Sequence, residues 1–253
     1  MKISLVQSSI KWLEPQLNWQ RAEELIARCK GSQLFVLPEM FATGFCMDAK
    51  RNAANWRQSV EWMEQMAAKY STTIAGSLAV EEGERYYNRL YVGGAEGVVA
   101  HYDKRHLFSF AGESECYDRG QERVVVEIEG VRILLQVCYD IRFPVAMRNR
   151  GDYDVVVCVA NWPQSRRRVW DVLLRARAIE NQAYVCGVNI VGDDPTTHYN
   201  GGTVAIDYRG IEVAQVDDDK DGVASVEIDL KLLELFRTRF PAMRDADEFE
   251  IKY

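Results

Sequence analysis

The chain has 253 residues, 47% of them hydrophobic and 27% charged, enough for a large core and near the upper size of one domain. With 31 Lys and Arg against 38 Asp and Glu, its formal net charge of −7 has the wrong sign for binding a phosphate backbone by counterion release, so no nucleic-acid partner is expected. No apolar run approaches the roughly 20 residues of a membrane helix, and the first residues lack a basic and then apolar leader, so the expectation is a cytoplasmic protein with no membrane role.

In chain order, Ile3 to Gln7 reads as a buried strand. Leu17 to Lys30 sets Trp19, Ala22, Leu25, Ile26 and Cys29 at helical spacing, with Gly31 as the expected C-cap. Leu34 to Leu37 is a second strand, stopped by Pro38. Ser59 to Tyr70 carries Val60, Met63, Ala67 and Tyr70 on one stripe, and Thr73 to Val80 returns as a strand. Two hairpins are signalled, Arg85 to Val92 with Val98 to Tyr102 across a Gly-rich turn, and Val124 to Ile128 with Val131 to Val137 around Glu129-Gly130. Strand-like Val155 to Val159, a helix from Val169 to Gln182 and a strand from Tyr184 to Ile190 follow. Beyond Gly202, short strands lead to a helix over Leu230 to Phe240. This mixture of βα units and hairpins predicts an α/β protein with mixed sheets. With no repeat and no linker, 1–253 reads as a single domain, and Asp217-Asp218-Asp219 as a solvated turn.

Whole classes of chemistry lack support. There is no phosphate-binding glycine loop, no G-x-S-x-G elbow and no H-E-x-x-H, and His101, His106 and His198 have no metal-pair spacing. The six cysteines form no C-x-x-C pair and read as reduced thiols. Among them Cys138 stands out, because it follows a buried strand and precedes the polar turn Tyr139-Asp140-Ile141-Arg142-Phe143-Pro144. Open α/β sheets put their sites at such places, and a helix begun by Pro144 is expected to lower the thiol pKa. Glu39 in Leu37-Pro38-Glu39, and Lys104 in Asp103-Lys104-Arg105-His106-Leu107-Phe108, also lie just past strand ends. There a carboxylate can serve as general base and an ammonium can stabilise an oxyanion. Cys158 and Cys186 read as core, and Cys46 beside Phe45 lines the pocket at most. A Cys-His thiol protease with His101, His106 or His198 as base, His198 the best candidate, and a binding protein without turnover are the readings from other classes.

In order and spacing, Glu39, Lys104 and Cys138 with their flanking residues resemble the Glu-Lys-Cys triad of the nitrilase superfamily of carbon-nitrogen hydrolases. Ala160-Asn161-Trp162-Pro163, Ala176 to Gln182 and Phe240-Pro241-Ala242 extend the likeness over essentially the whole chain. The resemblance implies a four-layer α-β-β-α sandwich with two mixed β-sheets, commonly a homodimer. It implies Cys138 as nucleophile, Glu39 as general base and acid, Lys104 with the N–H of Tyr139 as oxyanion hole, and no metal or organic cofactor. It also implies a second glutamate beside the lysine, for which Glu113 fits better than Glu115. The phrases around Tyr102 to Phe108, Val159 to Pro163 and Asp245 to Phe249 are similar to bacterial omega-amidases, which hydrolyse the side-chain amide of 2-oxoglutaramate and 2-oxosuccinamate. Relatives acting on deaminated glutathione or N-carbamoyl compounds are the alternative. A small-molecule amide bearing a carboxylate needs a cation in its pocket. Arg142, Arg166, Arg167, Arg168 and Arg175 are the candidates, with Phe45, Asn161 and Trp162 as further pocket residues.

Overall fold

The computed structural model describes residues 1–251. Strand β1 (Lys2–Gln7) alternates its side chains, Ile3 and Leu5 toward one face and Val6 toward the other. Two strands run parallel beside it, β2 (Leu34–Val36) and β3 (Thr73–Glu82). The crossovers pass through α1 (Pro15–Ala27), and through α2 (Ala49–Asn52) followed by α3 (Trp56–Tyr70). The antiparallel strands β4 (Arg85–Gly94) and β5 (Gly97–Asp103) then extend this sheet. A four-residue helix, α4 (Glu113–Cys116), leads to the second sheet.

That sheet begins with the hairpin β6 (Val125–Ile128) and β7 (Val131–Val137). After α5 (Pro144–Met147) comes β8 (Val155–Val159), and after α6 (Arg167–Asn181) comes β9 (Tyr184–Val188), both parallel to β7. A separate hairpin of β10 (Val191–Asp193) and β11 (His198–Asn200) precedes β12 (Val204–Ile206), β13 (Glu212–Gln215) and β14 (Gly222–Glu227). The chain then forms α7 (Leu230–Arg239). Strand orders are β14-β1-β2-β3-β4-β5 and β13-β12-β9-β8-β7-β6, so each six-stranded sheet is mixed.

The two sheets bury their inner faces against each other. Ile3, Leu5, Leu34, Val36, Leu90 and Val92 of the first share one core with Ile133, Leu135 and Val137 of the second. On the outer side of the first sheet, Phe35, Leu37 and Ile74 meet Leu25 and Ile26 of α1 and Trp62, Met63 and Met66 of α3. On the second, α6 presses so close to β9 that a Cβ at Gly187 would lie 2.5 Å from Leu174 Cδ1. Each fully buried Val or Leu contributes roughly 1.5–3 kcal/mol of burial, which is why β8 reads as an unbroken run of five apolar residues with no exposed face. The expected four layers are present.

Differences from the sequence reading are local. The first helix starts at Pro15, whose fixed φ suits a first turn, and ends at Ala27 with Arg28 as its cap. Gly31, expected as the cap, lies beyond it at φ +77°. Helix α3 begins three residues before the expected Ser59, at Trp56, and its buried face is Ser59, Trp62, Met63, Met66 and Ala67, rotated from the expected stripe. The β4–β5 connection is tighter than expected, with only Ala95 and Glu96 between the strands. The β10–β11 hairpin went unread. The acidic run 217–219 is indeed exposed, with Asp218 paired to Arg167.

Candidate active site

Because β5 is antiparallel to β4, and β4 to β3, β5 points the same way as β2. Glu39 and Lys104 therefore leave the first sheet at one edge, past the C-terminal ends of β2 and β5. From the second sheet, Cys138 leaves β7 and Asn161 follows β8 at the ends of parallel strands. Four separate strand ends thus converge, and that convergence joins residues up to 122 positions apart, as in the Glu39–Asn161 contacts.

Glu39, Lys104 and Glu113 have no exposed surface, and Cys138 is 9% exposed. The Lys104 ammonium donates to Glu39 Oε1 at 2.9 Å and to both oxygens of Glu113 at 3.0 and 2.9 Å. Glu113, not the exposed Glu115, therefore stands at the lysine, and the Phe108 N–H fixes it further at 2.6 Å. The remaining oxygen of Glu39 accepts the Asn161 N–H at 2.7 Å, while Asn161 Nδ2 donates to the Glu39 carbonyl at 2.9 Å.

Three charges in a dry site reshape one another. Burial opposes the Lys104 charge, but Glu113 and then Glu39 outweigh it, so its pKa stands well above the ordinary lysine value. Burial raises Glu113 above the usual carboxylate range, with Lys104 opposing. Burial, then the negative charge of Glu39, push the Cys138 thiol well up, against the pull of Lys104. This corrects the expectation of a thiol lowered by a helix end. Pro144 does open α5, but that helix has one turn and starts six residues after Cys138. Cys138 itself stands at φ +49°, a left-handed conformation that holds the turn Cys138–Arg142 at the strand end.

The cluster opens into a pocket of about 420 Å³ that includes Phe45, Tyr139, Arg142, Asn161, Trp162 and Arg166 in its wall. The Arg142 guanidinium lies over the Trp162 ring at 5.2 Å, and that of Arg166 over Phe108 at 5.2 Å. Neither has a carboxylate partner among the described residues. Of the other candidates, Arg167 pairs with Asp171 and Asp218, and Arg175 with Glu212. Neither Arg168 nor Arg175 lines this pocket. Phe45 lies 5.2 Å from the Lys104 ammonium. Cys46 sits behind the wall, its carbonyl accepting from Tyr117 Oη at 2.7 Å. His198 is exposed on the β10–β11 hairpin, paired to Asp193, and the His106 ring faces Asp140, so neither is hydrogen-bonded to the thiol.

Sequence reasoning missed several members. Asn88 Nδ2 donates to Glu39 Oε1 at 2.7 Å and to Glu113 Oε1 at 3.1 Å, while its oxygen accepts from Ser77 Oγ at 2.9 Å. The signal was a buried amide in the β4 run Tyr86-Tyr87-Asn88-Arg89. The turn at 194–197 also lines the pocket. Asp194 organises it by accepting from the N–H groups of Thr196 and Thr197, both at 2.7 Å, and from Tyr199 Oη at 2.6 Å. Asp194-Pro195 was the available turn signal.

Fold and site together define a hydrolase of carbon-nitrogen bonds. The chain belongs to the carbon-nitrogen hydrolase family, which it matches over residues 2–238. It is 43% identical over 250 residues to the omega-amidase YafV of Yersinia enterocolitica, covering 98% of each chain. It is 33% identical over 250 residues to the 2-oxoglutaramate amidase of Bacillus subtilis (strain 168), covering 96% of each. The solved structure of XC1258 from Xanthomonas campestris, described as a CN-hydrolase superfamily protein with an arsenic adduct in the active site, has a TM-score of 0.95 at 39% identity. That match covers 100% of this chain and 99% of the other.

Proposed function

We propose that the protein is an omega-amidase that converts 2-oxoglutaramate or 2-oxosuccinamate to the 2-oxo dicarboxylate and ammonia, with the chain acting as one catalytic domain over 1–253. The observation that carries this reading is a buried carboxylate, ammonium and thiol beneath a pocket whose two guanidiniums lack acidic partners. A carboxylate-bearing amide fills both needs: its carboxylate meets Arg142 and Arg166, and its amide reaches Cys138. The names of the two amidase relatives support the same substrate class.

In the proposed mechanism Cys138 Sγ attacks the amide carbon as its proton passes to Glu39, and the carbonyl oxygen takes the displaced electron pair. The Lys104 ammonium and the Tyr139 N–H stabilise that oxyanion. Glu39 returns the proton to the departing nitrogen, the C–N bond breaks, and ammonia leaves a thioester on Cys138. Glu39 then takes a proton from water, whose oxygen attacks the thioester. As the C–S bond breaks, the sulfur recovers the proton. Glu113 and Asn88 hold Lys104 and Glu39 in place.

Two further features complete the proposal. Exposed Val172 and Ile179 on α6, and Leu232 and Leu235 on α7, are apolar surface suited to a homodimer contact, which light scattering of the purified protein tests. Six free cysteines suit a reducing cytoplasm. The substrate assignment is tested by ammonia release from 2-oxoglutaramate, 2-oxosuccinamate, deaminated glutathione, N-carbamoyl-alanine and a simple nitrile, with wild type beside Cys138→Ala. Preference for the two oxo acid amides, absent in the variant, is the expected result. Preference for another member of the panel, or turnover by the variant, overturns the substrate or the nucleophile respectively.

A further inference from the structure

We infer that Asp140, gripped by Tyr102 and His106, is a positioning clasp that holds the Cys138 turn in register with Lys104. The inference rests on the proposed roles of those two residues. Asp140 is fully buried, two residues after Cys138. Its Oδ2 accepts from Tyr102 Oη at 2.9 Å and from the Val137 N–H at 3.0 Å. Its Oδ1 accepts from the His106 N–H at 3.0 Å and lies 2.7 Å from His106 Nδ1. Tyr102 and His106 stand two residues on either side of Lys104. One carboxylate therefore ties both flanks of the lysine segment to the strand end and the turn that present the thiol.

The clasp closes at its other end through the same histidine. The His106 ring lies flat on Phe143 at 3.9 Å and 9°, and Phe143 meets the edge of Tyr139 at 5.1 Å. The turn is thus held at its second and third residues and at the residue beyond it. Such holding is needed because the turn starts from a left-handed cysteine, a conformation the surrounding structure must impose. Next to a carboxylate, Nδ1 carries the hydrogen and donates it. His106 makes no contact with Glu39, Lys104, Glu113 or Cys138 through a hydrogen bond, so its part is geometric. Displacements of about 1 Å at a reacting centre cost on the order of 10²-fold in rate, which makes a register device consequential.

The test compares His106→Leu, His106→Asn, which keeps a side-chain N–H near the place of Nδ1, and Tyr102→Phe, which removes one of four donors. For each, thermal melting, kcat and KM are measured on the amide that wild type hydrolyses best, and intact mass follows iodoacetamide labelling of Cys138. Expected are a kcat at least ~10-fold lower in His106→Leu with KM within about twofold, recovery of most of that loss in His106→Asn, and a smaller kcat loss in Tyr102→Phe. If His106→Leu does not fold, Tyr102→Phe decides alone. A wild-type kcat in any folded variant that lacks a donor overturns the clasp, as does equal impairment of the Leu and Asn variants. Absence of labelling at Cys138 in the wild type, with turnover by Cys138→Ala, instead overturns the underlying mechanism.

Discussion

Replacing Lys104 with Met keeps an unbranched side chain, one atom shorter, and removes its charge, leaving two fully buried carboxylates without their cation. The wild-type ammonium makes three hydrogen bonds of 2.9–3.0 Å to Glu39 and Glu113, all inaccessible to water. Removing one partner of such a buried pair costs about 3–5 kcal/mol. A chain of this size loses about 2–4 °C of Tm per kcal/mol, so Lys104→Met should melt ~6–20 °C below wild type at pH 8. The deficit should depend on pH with a definite sign. Burial already raises Glu113, and Lys104 is what opposes that rise, so the variant's Glu113 titrates higher still. A carboxyl whose folded pKa exceeds its unfolded value of about 4.3 favours folding below the unfolded pKa, and loses that contribution as pH rises through the folded one. The penalty therefore shrinks on going from pH 8 to pH 5, and Glu113→Gln in the Lys104→Met background relieves part of it at pH 8. Thermal unfolding of wild type, Lys104→Met and the double variant at pH 5, 6.5 and 8 measures this. A deficit below about 2 °C at pH 8, or one equal at pH 5 and 8, would refute the reasoning.

Other expectations follow from the same geometry. Glu39→Gln removes a negative charge that raises the Cys138 thiol while Lys104 still lowers it, so iodoacetamide should label Cys138 faster at pH 7.5 even as amide turnover falls by at least ~10²-fold; slower labelling contradicts this. Arg142→Ala and Arg166→Ala each remove a charge-assisted contact of about 1.5–3 kcal/mol. They should raise KM for an oxo acid amide ~10- to 100-fold with little change for a neutral amide, and an equal effect on both substrates argues against carboxylate binding. Gly120→Ala would put a Cβ 2.1 Å from the Asp103 carbonyl oxygen, in the segment whose Gly120 N–H holds the Lys104 carbonyl at 2.9 Å. Lower Tm and lower kcat together are expected, and a variant with wild-type values of both would mean that the segment can shift freely.

What the sequence made legible divides along physical lines. Strand β8 was readable because full burial requires an unbroken apolar run, and β1 and β7 because only Ser4, Arg132 and Gln136 interrupt theirs. Glu39 and Cys138 follow such buried stretches, whereas Lys104 follows β5, whose Val98 and Val99 are exposed, and was readable only as a charge just past a strand end. Helix ends were less so, since the cap of α1 is an ordinary αR arginine, with Gly31 displaced three residues beyond it. Asn88, Ser77 and Asp140 were missed because their parts exist only after folding. Asn88 reaches Glu39 across 49 residues and Asp140 reaches Tyr102 across 38. The arginines could not be sorted from sequence because pairing is a tertiary fact. Arg167 and Arg175 find acids on distant segments, while Arg142 and Arg166 find aromatic faces instead.

Burial is the first cause of the raised thiol, and the negative charges around it add to that rise. An ionised Cys138 would set a second negative charge beside Glu39 where water is excluded. A low dielectric penalises that second charge steeply, so the resting cysteine keeps its proton. Passing the proton from sulfur to Glu39 during attack leaves the net charge unchanged, and the new oxyanion then forms against an ammonium that Glu39 no longer neutralises. On the proposed roles, Lys104 is best placed to stabilise the oxyanion once Glu39 has accepted the proton. In the proposed mechanism this couples the base to the electrostatic catalyst through the single 2.9 Å contact between Glu39 and Lys104.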